Sequence, residues 1–261
     1  MRTALVTLIL GWPYRLVWRE VCEPTWSAYA ARHGYDVIAI DRPLDTSKRA
    51  AMRPPYWQKL LVLRPDLANG YDRVVWIDAD IVINPEAPSV TDGVPIEKIG
   101  LTDESRFPSP QEHRDLQLRM ANAHERAGNL AHAAVARTSA ATSPAPQTGV
   151  MVLSPRHHRA ILEAVYHDKE QDIPVAEQVY AGRAILENDL AHWIDPRFNA
   201  LVYCLKIIEH RRAAIDTEAK LIAAIRQWIS RHYFLHFAAE HALLSTALAA
   251  LHQNQAANPV P

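Results

Sequence analysis

The chain has 261 residues, 49% of them hydrophobic, so it can bury the core of one large α/β domain or two small ones. Its net charge of −1 provides no general attraction for nucleic acid or an anionic membrane. Its two cysteines, Cys22 and Cys204, lie too far apart to suggest a disulfide framework or a thiolate zinc site. We therefore expect a cytoplasmic protein with no transmembrane segment and no nucleic-acid partner.

The first hundred residues alternate between strand and helix signals. Residues 4–10 read as a strand rather than a signal peptide, because Gly11-Trp12-Pro13 ends the apolar run and no cleavage site follows directly. A helix over 16–32, closed by Gly34, and a strand over 36–40 come next. This order predicts βαβ units, in which ligands bind beyond the carboxyl ends of the strands.

Two aspartates interrupt the next strand. An apolar-periodic segment over 57–67 leads to YDRVVWIDADIVINPEAP at 71–88, in which Asp78 and Asp80 break a Val- and Ile-rich run. Buried carboxylates are costly unless they are paired, hydrogen-bonded or bound to a metal. On one face of a strand they would offer oxygen ligands to Mn²⁺ or Mg²⁺. The alternative is that both cap the strand end by bonding loop amides.

The second half begins with a change of composition. The Ala-, Arg- and His-rich segment 105–146 predicts a helical insertion, which we expect to be a mobile lid because its end lacks an apolar stripe. Strand and helix then return, with Ser154 as N-cap and Pro155 as the first helical residue. A helix over 217–229, a strand in HYFLHF, a C-terminal helix and a disordered tail over 253–261 complete the prediction.

Four further features are candidates for chemistry, each with a structural alternative. His236 can supply a nitrogen ligand or be a core histidine, and Lys59 can meet a diphosphate or be a solvated surface residue. The Gly in QTG at 147–149 permits close approach of a ligand or forms a simple turn. ENDL at 187–190 can hold sugar hydroxyls or be an acidic helix start.

In chain order, TLILGWPY, WQKL, YDRVVWIDAD, QTGVMVL, ENDL and FLHF resemble the glycogenin-like retaining glycosyltransferases of the GT-A fold, with some similarity to yeast-type galactosyl- and mannosyltransferases. The resemblance spans residues 3–238 outside the insertion. It implies a Rossmann-like mixed α/β sheet flanked by helices, in a single domain over 1–252. Residues 1–104 would form the nucleotide-binding half and 147–252 the sugar and acceptor half, with 105–146 inserted between them.

The resemblance also implies roles for individual residues. Asp78, Asp80 and His236 would bind Mn²⁺ or Mg²⁺, with Asp78 also facing the nucleotide. The other implied positions are Thr7 and Tyr14 at the base, Lys59 near the phosphates and sugar, Gln147, Thr148 and Gly149 in place of an Asn-Ser-Gly motif, and Glu187 and Asn188 in place of an Asp-Gln pair. Glu187, Asp189 and Gln147 are the catalytic candidates.

The implied function is metal-dependent transfer of a sugar, with retention, from a nucleoside-diphosphate donor to a hydroxyl of a glycan, small molecule or protein. A UDP-sugar is favoured over a GDP-sugar. Two alternatives remain: a sugar nucleotidyltransferase, and a non-catalytic module that binds a nucleotide or glycan. The ending HFAAEH lacks the glycine and lysine that the family places near the diphosphate, so Arg231, Lys48, Arg49 and Arg53 are candidate replacements.

Overall fold

A computed structural model describes residues 1–168, 177–212, 215–238 and 240–257. The strands are β1 (Thr3–Leu8), β2 (Asp36–Ile40), β3 (Arg73–Ile77), β4 (Ile81–Ile83), β5 (Ile99–Asp103), β6 (Pro146–Leu153), β7 (Ala191–Trp193), β8 (Ala200–Leu201) and β9 (Phe234–His236). The α-helices are α1 (Trp12–Val17), α2 (Glu23–His33), α3 (Lys48–Ala51), α4 (Pro65–Ala68), α5 (Pro110–Arg126), α6 (Leu130–Ala141), α7 (Pro155–His167), α8 (Glu177–Glu187), α9 (Val202–Arg212), α10 (Glu218–Arg231) and α11 (Leu244–Ala257).

Within these residues the strands form a large and a small sheet. The large sheet has the order β2-β1-β3-β6-β5-β7, in which β6 runs antiparallel to both of its neighbours and the other pairs are parallel. The small sheet has the order β4-β9-β8. The chain passes from the large sheet to the small one between β3 and β4, and Asp78 and Asp80 lie at this crossing. The mixed α/β sheet expected from the sequence is confirmed.

Both faces of the large sheet are buried. Along β1, Leu5 faces one apolar cluster while Ala4 and Val6 face the other, as the alternation of a strand requires. The first cluster packs α2, α10 and the small sheet against the large sheet, and the second packs the 3₁₀ segment Pro55–Leu61 and α7 on the opposite face. A sheet covered on both faces explains the nearly continuous apolar runs of its central strands.

Several local predictions differ from the structure in detail. The helix expected over 16–32 is divided by a π-helical turn, Trp18–Cys22, and still ends at Gly34, whose φ of 69° suits glycine. The segment 57–67 forms a 3₁₀ helix and the short α4. Residues 78–80 form a turn rather than part of a strand, because β4 leaves the large sheet to pair with β9.

The insertion after β5 is a helical hairpin of α5 and α6. Its inner side includes buried His113, Gln117 and Ala121, and its mobility stays a prediction. At the C-terminus, α11 includes 253–257, part of the segment predicted to be disordered, since Gln and Ala are favourable in helices. Residues 258–261 lie outside the described residues. In the described part of the chain, no helix combines the length and apolar character needed to cross a membrane.

Trp26 anchors the crossing between the sheets and provides a test of it. Its ring is fully buried, and its indole N–H donates to the carbonyl of Ile81 at 2.8 Å. Trp26→Phe leaves that carbonyl without this donor, so we expect the free energy of unfolding to fall by about 1–3 kcal/mol. Urea denaturation measures the change, with the partly buried Trp193→Phe as control. Equal stability of Trp26→Phe and the wild type would contradict the anchoring role.

Candidate metal centre and donor cleft

Strand register brings two aspartates and a histidine together. The amide of Asp78 donates to the carbonyl of Gly149 at 2.8 Å, which holds Asp78 against β6. In the small sheet Ile81 pairs with His236, and the amide of Phe237 donates to the carbonyl of Asp80 at 3.0 Å. Residues distant in sequence therefore meet at the carboxyl end of β3, the edge at which such sheets bind ligands.

These side chains form a group suited to a divalent cation. One ligand atom from each of Asp78, Asp80 and His236 lies within 4.8 Å of the others. The Nε2 atom of His236 is 3.2 Å from Asp80 Oδ1 and 3.8 Å from Asp78 Oδ2. Protein ligands lie about 2.0–2.6 Å from Mg²⁺ or Ca²⁺, so a cation between these atoms needs little rearrangement. Two oxygens and an imidazole nitrogen fit Mn²⁺ better than a purely oxygen-seeking ion.

Lys59 is the buried counter-charge of this group. Its side chain is 2% exposed, and its ammonium lies 2.9 Å from Asp78 Oδ1 and 3.4 Å from Glu177 Oε1. The indole N–H of Trp76 donates to the same Asp78 oxygen at 2.8 Å. Lys59 is therefore not the solvated surface lysine of the structural alternative, and side chains rather than loop amides supply these contacts to Asp78.

The electrostatics follow from this arrangement. Burial alone would lower the pKa of Lys59, but the charges of Asp78 and Glu177 outweigh it and leave the pKa above its ordinary value. Burial raises the pKa of Glu177, with Lys59 opposing that shift. For His236, burial favours a lower pKa, yet the Asp80 carboxylate raises it. The site attracts positive charge at the point where the ligand atoms converge.

Behind the metal group lies a relay of amides. The Nδ1 atom of His236 is 2.7 Å from Asn199 Oδ1, and Asn199 Nδ2 donates to Gln147 Oε1. Gln147 Oε1 also accepts the backbone N–H of Gly149. A Cβ atom added to Gly149 would come within 2.6 Å of His236 Cε1. Glycine is required here because the imidazole packs directly on the backbone.

The metal group borders a cleft of about 460 Å³, which lies within the size range of small-molecule sites in proteins. Leu8, Ile9 and Leu10 form part of an apolar wall, and the half-exposed Tyr14 stands at its edge, with its ring 5.9 Å from that of His241. Thr7 is fully buried within β1 and does not line the cleft, in contrast to the role that the resemblance implied. Tyr14, Lys59, Gln147, Asp78, Asp80 and His236 do line it.

Helix α8 presents its first residues, not its last, to this cleft. Glu177 and Gln178 line the cavity, and Gln178 Oε1 accepts the amide of Thr148 at 3.2 Å. The hydroxyl of Thr148 reaches Glu177 at 3.4 Å. Thr148 is fully buried, so its effect on the cleft passes through these two side chains.

The ENDL motif lies elsewhere. Glu187 is the last residue of α8, about 15 Å along the helix from Glu177 at 1.5 Å per residue. Glu187, Asn188 and Asp189 are exposed, and Asp189 is paired with Lys98 at 2.9 Å. Glu187 borders a second cavity of about 250 Å³ between α6 and α8. The structure therefore does not bring Glu187, Asn188 or Asp189 to the metal group.

The sequence contained a signal for the pair that lines the cleft. Glu177-Gln178 retains the glutamine of the Asp-Gln pair, whereas Glu187-Asn188 retains neither residue. ENDL attracts attention because it follows a hydrophobic run, but that run is the interior of α8. Asn199 and His241 carried no local signal, since β8 and β9 position them through long-range pairing.

The basic residues suggested in place of the lysine of the glycogenin-like enzymes do not line the cleft. Arg49 and Arg53 donate to backbone carbonyls at 166–168, and Arg231 and Lys48 do not line the cleft. His241 does line it and lies 3.3 Å from Asp80 Oδ2. Beside Lys59, His241 is thus a further basic side chain at the cleft that the sequence did not indicate.

No family model and no curated protein matches the chain. Solved structures share its fold. A glycosyltransferase involved in glycosylation of the major capsid of PBCV-1 has a TM-score of 0.57 at 12% identity, over 94% of this chain and 99% of that one. Galactosyltransferase LgtC, in complex with donor and acceptor sugar analogues, has a TM-score of 0.52 at 9% identity, over 95% of each chain. The bifunctional glycosyltransferase WbbM has a TM-score of 0.51 at 10% identity, over 96% of this chain and 49% of that one.

These likenesses establish the fold. The chain has the GT-A fold predicted from its sequence, and the similarity to the PBCV-1 enzyme and to LgtC extends over nearly the whole of each chain. The assignment to the glycogenin-like group stays a prediction. At identities of 9–12% the shared architecture carries no residue roles, which depend on the site itself.

Removal of Lys59 tests the charge balance. Lys59→Met leaves the Asp78 and Glu177 carboxylates without their cation, so we expect a loss of about 3 kcal/mol, the low end for a buried pair because Asp78 remains 24% exposed. Adding Glu177→Gln should restore part of this loss. Lys98→Met, whose partner is exposed, should cost under about 1 kcal/mol. Urea denaturation measures all three, and equal costs for Lys59→Met and Lys98→Met would contradict the assigned balance.

Proposed function

We propose that this chain is a metal-dependent glycosyltransferase that moves a sugar from a nucleoside-diphosphate donor to an acceptor hydroxyl with retention of configuration. The observation that carries the proposal is the convergence of Asp78, Asp80 and His236 at the rim of a cleft of about 460 Å³ in a chain of the GT-A fold. We further propose Mn²⁺ as the metal, UDP as the nucleotide, and a glycan, small molecule or protein as the acceptor.

The metal and the charges of the site have complementary tasks. Asp78, Asp80 and His236 would hold the cation, which supplies Lewis-acid stabilisation of the leaving diphosphate. Lys59 fixes the orientation of the Asp78 carboxylate from inside the protein. The apolar wall at 8–10 and the ring of Tyr14 offer a surface on which a base can rest.

Glu177 and Gln178 are the residues we propose at the sugar, in place of Glu187 and Asn188. Both line the cleft, and Lys59 lies between Glu177 and Asp78. A buried carboxylate near the reacting carbon stabilises the positive charge that develops on the sugar. Gln147 also lines the cleft and contributes an amide to it.

Two alternatives make different predictions in one experiment. The purified protein is incubated with a panel of UDP- and GDP-sugars and MnCl₂, and released nucleoside diphosphate is measured, with a chelator as control. Slow, metal-dependent release from one donor supports the transferase. Turnover that depends on pyrophosphate favours a sugar nucleotidyltransferase, and binding of a nucleotide sugar without turnover favours a non-catalytic module.

Asp80→Asn tests the metal site. Since binding to the native state alone adds roughly 2.7 kcal/mol at a hundredfold excess over Kd, Mn²⁺ with UDP should raise the melting temperature of the wild type by about 5–10 °C. We expect Asp80→Asn to abolish both this shift and turnover, while the exposed control Asp92→Asn keeps both. Differential scanning fluorimetry and the release assay measure the two effects. Metal-dependent turnover that persists in Asp80→Asn would refute the ligand assignment.

The two glutamates at opposite ends of α8 form a matched pair for a catalytic test. Glu177→Gln removes a charge from the cleft, so turnover should fall by roughly 10²-fold, the loss typical of one electrostatic stabiliser, with little change in donor affinity. Glu187→Gln, outside the cleft, should stay within about twofold of the wild type. Steady-state release kinetics measure both, and a larger loss in Glu187→Gln would return the catalytic role to ENDL.

A further inference from the structure

The amide relay behind the metal group has an unambiguous starting point. The backbone N–H of Gly149 can only donate, and it points at the side chain of Gln147. The Gln147 atom that receives it must therefore be the carbonyl oxygen. Amide oxygen and nitrogen atoms are otherwise hard to tell apart, so this backbone contact fixes the orientation of the whole chain of amides.

Each following step is then determined. Gln147 Oε1 also faces the Asn199 amide, which must present its nitrogen, Nδ2, to that oxygen. The other end of the Asn199 amide is its oxygen, Oδ1, which lies 2.7 Å from His236 Nδ1. Because Oδ1 can only accept, His236 Nδ1 must carry a proton. In the neutral ring the free lone pair is then on Nε2, the atom that faces Asp78 and Asp80.

We propose that Asn199 and Gln147 are positioning residues that hold His236 in the tautomer able to bind a metal. This inference rests on the proposed function, because it assigns the relay to the metal site of that function. All three side chains are at most 7% exposed, so water does not compete for these bonds. A second partner that fixes ring orientation and tautomer typically changes metal affinity by about 10–100-fold.

The oxygen and the NH₂ group of the Gln147 side chain have different surroundings. Its oxygen is used internally, while its NH₂ group has no hydrogen-bond partner among the described residues, and Gln147 lines the cleft. Gln147 thus presents donors rather than acceptors to whatever occupies the cleft. A ligand oxygen, such as that of a sugar hydroxyl or a phosphate, satisfies them.

The experiment uses the full-length protein and two readouts. Nitrogen-15 NMR in alkaline buffer, where imidazole rings are neutral, reports the tautomer of His236, whose signals are identified by their loss in His236→Gln. Calorimetric titration with Mn²⁺ alone reports metal affinity. The variants are Asn199→Leu, Gln147→Met and Asn199→Asp, with the exposed Asn69→Leu as control. Apo melting temperatures show whether each variant folds.

The expected results follow from what each variant retains. Asn199→Leu removes the acceptor, and Gln147→Met frees the Asn199 amide to turn, so both should release the proton from Nδ1 and weaken Mn²⁺ binding by about 10–100-fold. Asn199→Asp keeps an acceptor for His236 Nδ1, so the proton should stay on Nδ1 even though the carboxylate cannot donate to Gln147 Oε1. Asn69→Leu should match the wild type in both readouts. A purely structural role would change melting temperature without changing the tautomer.

Two results would overturn the inference. One is a wild-type ring with its proton on Nε2, and the other is wild-type Mn²⁺ affinity in a folded Asn199→Leu. If Asn199→Leu does not fold, wild-type Mn²⁺ affinity in a folded Gln147→Met would overturn the inference instead. Absence of Mn²⁺ binding in the wild type would instead overturn the proposed function first, and the tautomer would still show whether the relay operates.

Discussion

The cleft depends on one buried positive charge. Asp78, Asp80 and Glu177 converge on a small volume, and desolvation would force such carboxylates apart or make them take up protons. Lys59 belongs to the 3₁₀ segment Pro55–Leu61, which packs on the face of the large sheet that carries the second apolar cluster. Its ammonium lies between Asp78 and Glu177. Its positive charge allows the Asp78 and Glu177 carboxylates to lie close together in the cleft. The chain thus balances part of the charge internally and leaves the remainder for a ligand.

The strand register of the small sheet positions His236. β9 is paired with β4 on one side and β8 on the other, which sets His236 opposite Ile81 and beside Leu201. A shift of one residue in that register would turn the imidazole to the other face of the sheet. Three short strands can maintain the register because their apolar residues belong to the main core. The position of His236 at the site therefore depends on apolar packing elsewhere in the core.

The sequence predicted what local pattern encodes. β1, β2 and the Ser154-Pro155 helix start follow from composition and from the residues typical of a helix N-terminus, whereas the convergence of Asp78, Asp80 and His236 was expected from the resemblance to the GT-A glycosyltransferases. The turn at 78–80 and the position of Asn199 beside His236 were not predicted, because they depend on pairings between strands remote in sequence. That Glu177 rather than Glu187 lines the cleft was not predicted either, for another reason. Both belong to one helix, and only tertiary contacts decide which end faces the cleft.

The attachment of the α5–α6 hairpin tolerates changes in its length. Asp103 at the end of β5 is paired with Pro146 at the start of β6, so the hairpin leaves and re-enters the sheet at adjacent points. Because its ends are already held together, lengthening or shortening the segment changes the entropy of loop closure only slowly. The hairpin can therefore change in length while the register of β5 and β6, and with it the position of the metal group, stays the same.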